Sequence, residues 1–424
     1  MKRKIVLFAN LLVFIGFLIS RDVAFAQFVS KNEINISGVA FSRFPVTLEE
    51  DGNFAKTPQG AAWKNLVEKN LCWSGIFTVK NSQMTDCDAP DKTSERKIML
   101  GITSPASMTF EFFGANKTSV FQKELPLFEN KLNESTVIDT INQLTELITG
   151  HRGILGTSIA FTLKQPERKK IIARINTHGQ NLTGFYTHPE SSTILPKWAP
   201  DGKGIVYTLI QKNQSKIMYY NFSDPPMALA DGNSLNHGGS WFPNGRQLVV
   251  TLSKNSNADL YMLDIGDLSL KRFTSNKSIE TSPAVSPDGK SLLFVSDRTG
   301  SEQIFIKNLM SNAEFRITFD GPKNSDPAWS PDGKLIAFTR TVNKTDQIFL
   351  MDPNGENLRQ LTDAPVHSEH PSWSPDGNQI VFASRLGSDF KLYIMFINGT
   401  GMRRLTSTVA GFNEESPNWN QPTD

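Results

Sequence analysis

The chain has 424 residues, of which 44 are Lys or Arg and 42 are Asp or Glu. Proteins that bind nucleic acid usually present a basic stripe, because release of phosphate counterions supplies much of their affinity. The near-balance of charge excludes nucleic acid as the expected partner.

Lys2, Arg3 and Lys4 precede an apolar run from Ile5 to Ile19, broken only by Asn10 and Gly16, and Ala24-Phe25-Ala26 follows. This reads as an export signal cleaved between Ala26 and Gln27, sending the mature chain out of the cytoplasm. The run is 15 residues long, short of the roughly 20 that span a bilayer, so a retained membrane anchor is the alternative reading. Residues 1–26 carry four basic residues and one acidic one; without them, 40 Lys plus Arg stand against 41 Asp plus Glu.

From Gln27 to about Gly150 the pattern is that of a separate α/β domain. Strands are expected at Ile34–Phe41, Ile76–Val79, Ile98–Ile102 and Met108–Phe113. One helix is expected to start at Thr57-Pro58, a cap followed by proline in the first turn, and to bury Trp63, Val67 and Leu71. A second carries Val137, Ile141, Leu144 and Ile148 on one face and stops at Gly150. The only two cysteines, Cys72 and Cys87, fall here. In an oxidising compartment they are expected to form a disulfide, the alternative being two independent thiols.

Beyond residue 150 a repeat takes over. Trp198-Ala-Pro-Asp-Gly202, Trp241-Phe-Pro-Asn-Gly245, Val285-Ser-Pro-Asp-Gly289, Trp329-Ser-Pro-Asp-Gly333 and Trp373-Ser-Pro-Asp-Gly377 recur at intervals of 43, 44, 44 and 44 residues, and a decayed copy begins at Trp419. The pentapeptide has the chemistry of a tight turn: proline fixes one φ, aspartate bonds back to the backbone, and glycine accepts a positive φ. A proline two residues before the aromatic is expected to start the preceding strand, where no ladder N–H is needed. Apolar β-type runs follow each turn, giving four short strands per repeat, the pattern of a propeller blade. Residues 154–424 number 271, close to six periods. The strands missing from the last blade are found upstream, at Ser158–Thr162, Ile171–Ile175 and Leu182–Thr187, so both ends of the repeat region are expected to share one blade. The fold class is therefore an α/β N-terminal domain, residues 27–150, plus an all-β six-bladed propeller, residues 151–424.

The export signal, the α/β domain, the Thr149-Gly-x-x-Gly-x-x-Gly156 junction and the Trp-Ser-Pro-Asp-Gly ring together resemble the TolB family of the Tol-Pal envelope system. That resemblance implies a non-catalytic periplasmic protein with no cofactor, supporting outer-membrane integrity and cell division. It implies that the channel face of the propeller docks the lipoprotein Pal, and that the N-terminal segment, here Gln27, Phe28, Val29, Ser30 and Lys31, communicates with TolA. The residues before each inner strand are then expected on a loop rimming the channel: Asn236 and His237, Glu280 and Thr281, Ser325 and Asp326, Glu369 and His370, Glu414 and Glu415. The alternative class is a propeller enzyme, either peptidase-associated or a metal-dependent lyase. No Gly-x-Ser-x-Gly elbow occurs. The six histidines are scattered, only His237 and His370 falling on the expected rim, and no metal is assigned.

Overall fold

The computed structural model describes residues 43–420 apart from positions 81, 83, 85, 86, 88–95, 168, 186–190, 213, 233–235, 255, 256, 364 and 386. The export signal with its cleavage point at Ala26 and Gln27, the segment Gln27–Lys31 and the strand expected at Ile34–Phe41 lie outside the described residues.

In the first domain β1 (Phe44–Glu50), α1 (Gly60–Trp73), β2 (Phe77–Val79), β3 (Lys97–Ser104), β4 (Ser107–Phe113), β5 (Ser119–Phe128), β6 (Lys131–Leu132) and α2 (Glu134–Thr149) follow in chain order. The sheet order is β2-β1-β3-β4-β5-β6, with β1 parallel to both neighbours and the rest antiparallel. β1 tolerates Pro45 near its start because its pairing with β3 begins only at Thr47. Thr57 does not cap α1: its hydroxyl donates to the Asn53 carbonyl, and Gln59 stands at the N-cap without a side-chain bond. α2 is capped as a helix of its composition requires. Asn133 Oδ1 accepts from the Ser135 N–H at 2.9 Å, and Gly150, at φ 75°, ends it in the left-handed region. Trp63, Val67 and Leu71 of α1 and Val137, Ile141 and Leu144 of α2 bury against Val46, Ile98, Leu100 and Phe110 of the sheet.

A disulfide joins Cys72, near the end of α1, to Cys87, beyond β2. It closes a loop of 15 residues, for which constraint of the unfolded chain is worth about 3 kcal/mol. Chemical denaturation of the double variant Cys72→Ser, Cys87→Ser should show a loss of that size confined to the α/β transition, with the ring's transition unmoved.

The remainder is six four-stranded antiparallel sheets in a ring. Blades 1 to 5 are continuous, with inner strands Ser192–Trp198, Asn236–Trp241, Glu280–Val285, Asn324–Trp329 and His367–Trp373. Blade 6 takes its inner strand from the far end, Asn413–Trp419, which pairs with Ser158–Lys164 and through it with Lys170–Asn176 and Thr183–Gly184. Each Ser-Pro-Asp-Gly segment is a turn closed by its glycine N–H, with φ between 65° and 71° at Gly202, Gly245, Gly289, Gly333 and Gly377. Within blades 3, 4 and 5 the second and third strands carry directly opposed aromatic pairs, Phe294–Phe305 and Phe338–Phe349 at 5.8 Å and Phe382–Tyr393 at 6.2 Å.

The two domains meet at the turn end of blades 5 and 6. Trp73 stacks on His178 at 4.2 Å, Lys69 lies 4.1 Å above the same indole, and Arg43 lies over Phe396. Burial, helped by the nearby Arg403 and Lys69 charges, lowers the His178 pKa to about 3, so the imidazole stacked in this joint is neutral.

Candidate functional site

Alignment of the six inner strands on their common turn gives six positions per blade. In five blades the fourth is proline, Gly239 replacing it in blade 2, and the sixth is the Trp or Val before the turn. The prolines do not start the strands as expected. They sit inside them, at a bulge where the register with the second strand shifts in every blade. The bulge leaves the fourth N–H outside the ladder, which is why proline is tolerated there. Just before it, the third residue takes a positive φ in five blades: 54° at Leu195, 49° at Ser282, 52° at Asp326, 56° at His370 and 51° at Ser416.

The bulge also reorders the expected rim. First-position side chains turn between the blades rather than into the channel. Asn236, Glu280 and Glu414, all expected on the rim, are buried there together with Asn324 and Ser368. Asn236 donates to the Ser215 carbonyl of the preceding blade at 3.0 Å. Glu280 accepts from Asn276 at 2.8 Å and is ion-paired with Arg298. Glu414 accepts the Leu392 N–H of the preceding blade at 2.8 Å and the hydroxyls of Thr406 and Thr408. Asn236 and Glu414 are thus joints between sheets and Glu280 fastens its own blade to the connector before it, and the pairs expected as equivalent are one position out of step between blades. Ser325 is also buried and donates to Asp326.

The third position of every blade, and the second position of blades 1, 2, 3 and 6, line the channel. At the mouth opposite the turns a cavity of about 430 Å³ is bounded by His237, Thr281, Asp326, His370 and Glu415, with Lys170 and Lys197, which the sequence reading had not singled out. Glu369 lies behind the wall, its Oε1 3.4 Å from His370 Nδ1, while His370 Nε2 is 3.6 Å from Asp326 Oδ1. Lys170 pairs with Glu415 at 2.5 Å. Burial lowers the His237 pKa, so that imidazole is neutral. Burial also opposes charge on His370, but the Asp326 and Glu369 carboxylates outweigh it and raise its pKa to about 9. Because this pKa lies above the ordinary value of 6.5, its contribution to stability is complete below pH 6.5 and is lost as pH rises through about 9. An imidazole titration of the intact chain should place His370 near pH 9. In Asp326→Asn the same resonance should titrate at least about one unit lower.

The second end of the channel, bounded by Trp198, Trp241, Trp329, Trp373 and Trp419 and the turn prolines, holds a further cavity of about 480 Å³. Among the described residues no group of three His, Cys, Asp or Glu side chains converges to hold a metal ion.

The family described as PD40, the TolB beta propeller domain, matches residues 145–423. The chain belongs to the TolB propeller family. A Tol-Pal system protein TolB from Ruthia magnifica subsp. Calyptogena magnifica is 27% identical over 259 residues, 58% of this chain and 61% of that protein. A protein TolB homolog from Chlorobaculum tepidum is 33% identical over 131 residues, 31% of this chain and 30% of that one. The chain thus spans about three fifths or less of the length of the curated relatives it matches. The crystal structure of TolB from Acinetobacter baumannii superposes with a TM-score of 0.73 at 23% identity, covering 90% of this chain and 98% of that one. An α/β domain followed by a six-bladed ring is therefore the TolB fold, and this chain has it. No described helix is long and apolar enough to cross a membrane.

Proposed function

We propose that the protein is a periplasmic, non-catalytic protein-binding component of a Tol-Pal system. In this reading its propeller channel docks the outer-membrane lipoprotein Pal and its N-terminal segment engages TolA of the inner-membrane complex, supporting outer-membrane integrity and constriction during division. The observation that carries the reading is the position of the charged mouth: a polar cavity on a TolB-family ring, at the end opposite the face against which the α/β domain packs. A surface of mixed charge with a recessed centre suits a docked loop, which needs hydrogen-bond partners as well as buried area.

The test is binding of soluble Pal and of the soluble part of TolA to the purified chain by calorimetry. Charge reversal at Asp326 and Glu415 should weaken Pal by more than about tenfold, measured at a temperature where each variant's circular dichroism is that of the folded ring. Deletion of Gln27 to Lys31 should weaken TolA and leave Pal unaffected. Unchanged affinities in both experiments would remove the Tol-Pal assignment.

A further inference from the structure

Lys197 occupies the fifth position of blade 1 and borders both channel cavities, so it stands at the waist of the ring. The other blades place Ser240, Ala284, Ala328, Ser372 and Asn418 there. Three of those side chains serve the ring itself. Asn418, Ser240 and Ser372 accept the backbone N–H of the next blade's sixth residue, from Trp198 at 2.8 Å and from Val285 and Trp419 at 3.0 Å. An ammonium group has three donors and no acceptor, so lysine cannot make this bond. Alanine in blades 3 and 4 shows that the position also accepts a small apolar side chain. The construction of the ring therefore does not call for a lysine.

The surrounding charges are already assigned to one another. Asp326 and Glu369 flank His370, and Glu415 holds Lys170. Burial lowers the Lys197 pKa, and the Asp326 carboxylate relieves this only in part. The wall beside it is rich in donors. Trp329 and Trp373 donate their indole N–H to the Ala284 and Ala328 carbonyls of the preceding blades at 3.0 Å. Trp198 and Trp241, more than nine-tenths buried, leave the same group without an acceptor. The carboxylate that acts on Lys197 is Asp326, which is already engaged with His370.

We propose that Lys197 is the specificity-determining residue of the channel: a docked protein segment places a carboxylate on its ammonium, and segments without one are rejected. The proposal deepens the protein-docking role above and rests on it. The carboxylate can come from an Asp or Glu side chain or from a chain terminus, and the experiment separates these sources.

Peptides are selected from a random library on the full wild-type chain, and those that compete with one another for the channel are measured against wild type, Lys197→Met and Lys197→Arg. Binding to K197M should weaken by at least about tenfold, as expected for loss of one charge-assisted contact, and K197R should retain most of it. Replacing the peptide's Asp or Glu with its amide, or amidating its C terminus, should cause an equal loss on wild type and no further loss on K197M, and whichever change does so identifies the source. K197M should melt no lower than wild type, since it removes an unpaired ammonium. Unchanged binding to K197M, indifference to both amide replacements, or a library that yields no channel-binding peptide overturns the proposal. Soluble Pal is measured in parallel. If Pal fails to bind wild type while acidic peptides depend on Lys197, the Tol-Pal reading falls and the lysine assignment stands.

Discussion

Trp419→Ala will destabilise the propeller by about 3–5 kcal/mol, the range for truncating a fully buried large aromatic. The residue is 0% exposed and packs in a cluster drawn from both ends of the repeat region, with Ile154, Ile159 and Phe161 on one side and Val381 and Ile394 on the other. Its indole N–H donates to Thr157 Oγ1 at 2.8 Å and its backbone N–H to Ser372 Oγ at 3.0 Å, so one side chain joins blade 6 to the domain linker and to blade 5. Trp419→Phe keeps most of the packing and should recover most of the loss, whereas Thr157→Val removes the indole hydrogen bond together with the Thr157 hydroxyl's donation to the Ile154 carbonyl, at about 1–3 kcal/mol. Urea unfolding checks all three. A Trp419→Ala ring of wild-type stability would mean that the terminal strand does not hold the circle shut.

Glu280→Ala will cost about 2–3 kcal/mol, because it removes the fully buried carboxylate of a charge-assisted pair with Arg298. The carboxylate is 0% exposed, and the Arg298 guanidinium that it holds also pairs with Glu314 at 2.7 Å and covers the rings of Phe294 and Phe305. Removing the acid leaves Arg298 with Glu314 and the Ser296 hydroxyl, and frees the exposed Asn276 amide to water. Glu369→Ala, at the partly exposed edge of the His370 cluster, should cost under about 1 kcal/mol while altering what the channel binds. If Glu280→Ala instead left stability unchanged and abolished partner binding, Glu280 would belong to the docking surface after all.

That contrast marks how far the site could be read from the chain alone. The ring was legible because its turn motif repeats as residues in register, and because the strands absent from the last repeat could be found upstream. The rim was legible only to within one residue. A strand shows its two faces by alternation, and the bulge before each proline breaks that alternation without leaving a separate mark in the sequence. Five of the ten rim residues therefore line the cavity, His237, Thr281, Asp326, His370 and Glu415, while Asn236 and Glu414 fasten sheet to sheet and Glu280 is buried against Arg298 of its own blade. Glutamate at 280 and 414 invited a surface placement, because burial of a carboxylate depends on partners, here Arg298, Thr406 and Thr408, that lie elsewhere along the chain. Lys197 did carry a signal: it immediately precedes the aromatic of the first repeat, where every other copy has a small or amide residue. In the α/β domain, β1 lay hidden behind Pro45, whose missing N–H matters only where a neighbouring strand needs it.

The contact between Trp419 and Thr157 spans 262 residues. A chain emerging from its N terminus delivers Ser158–Lys164 early, and the inner edge of that strand waits unpaired while five blades are made. Long-range pairing of this kind is slow, and an open strand edge is a template for aggregation. A chaperone that shields that single edge, or a short peptide copying residues 413–419, would therefore alter the yield and rate of refolding.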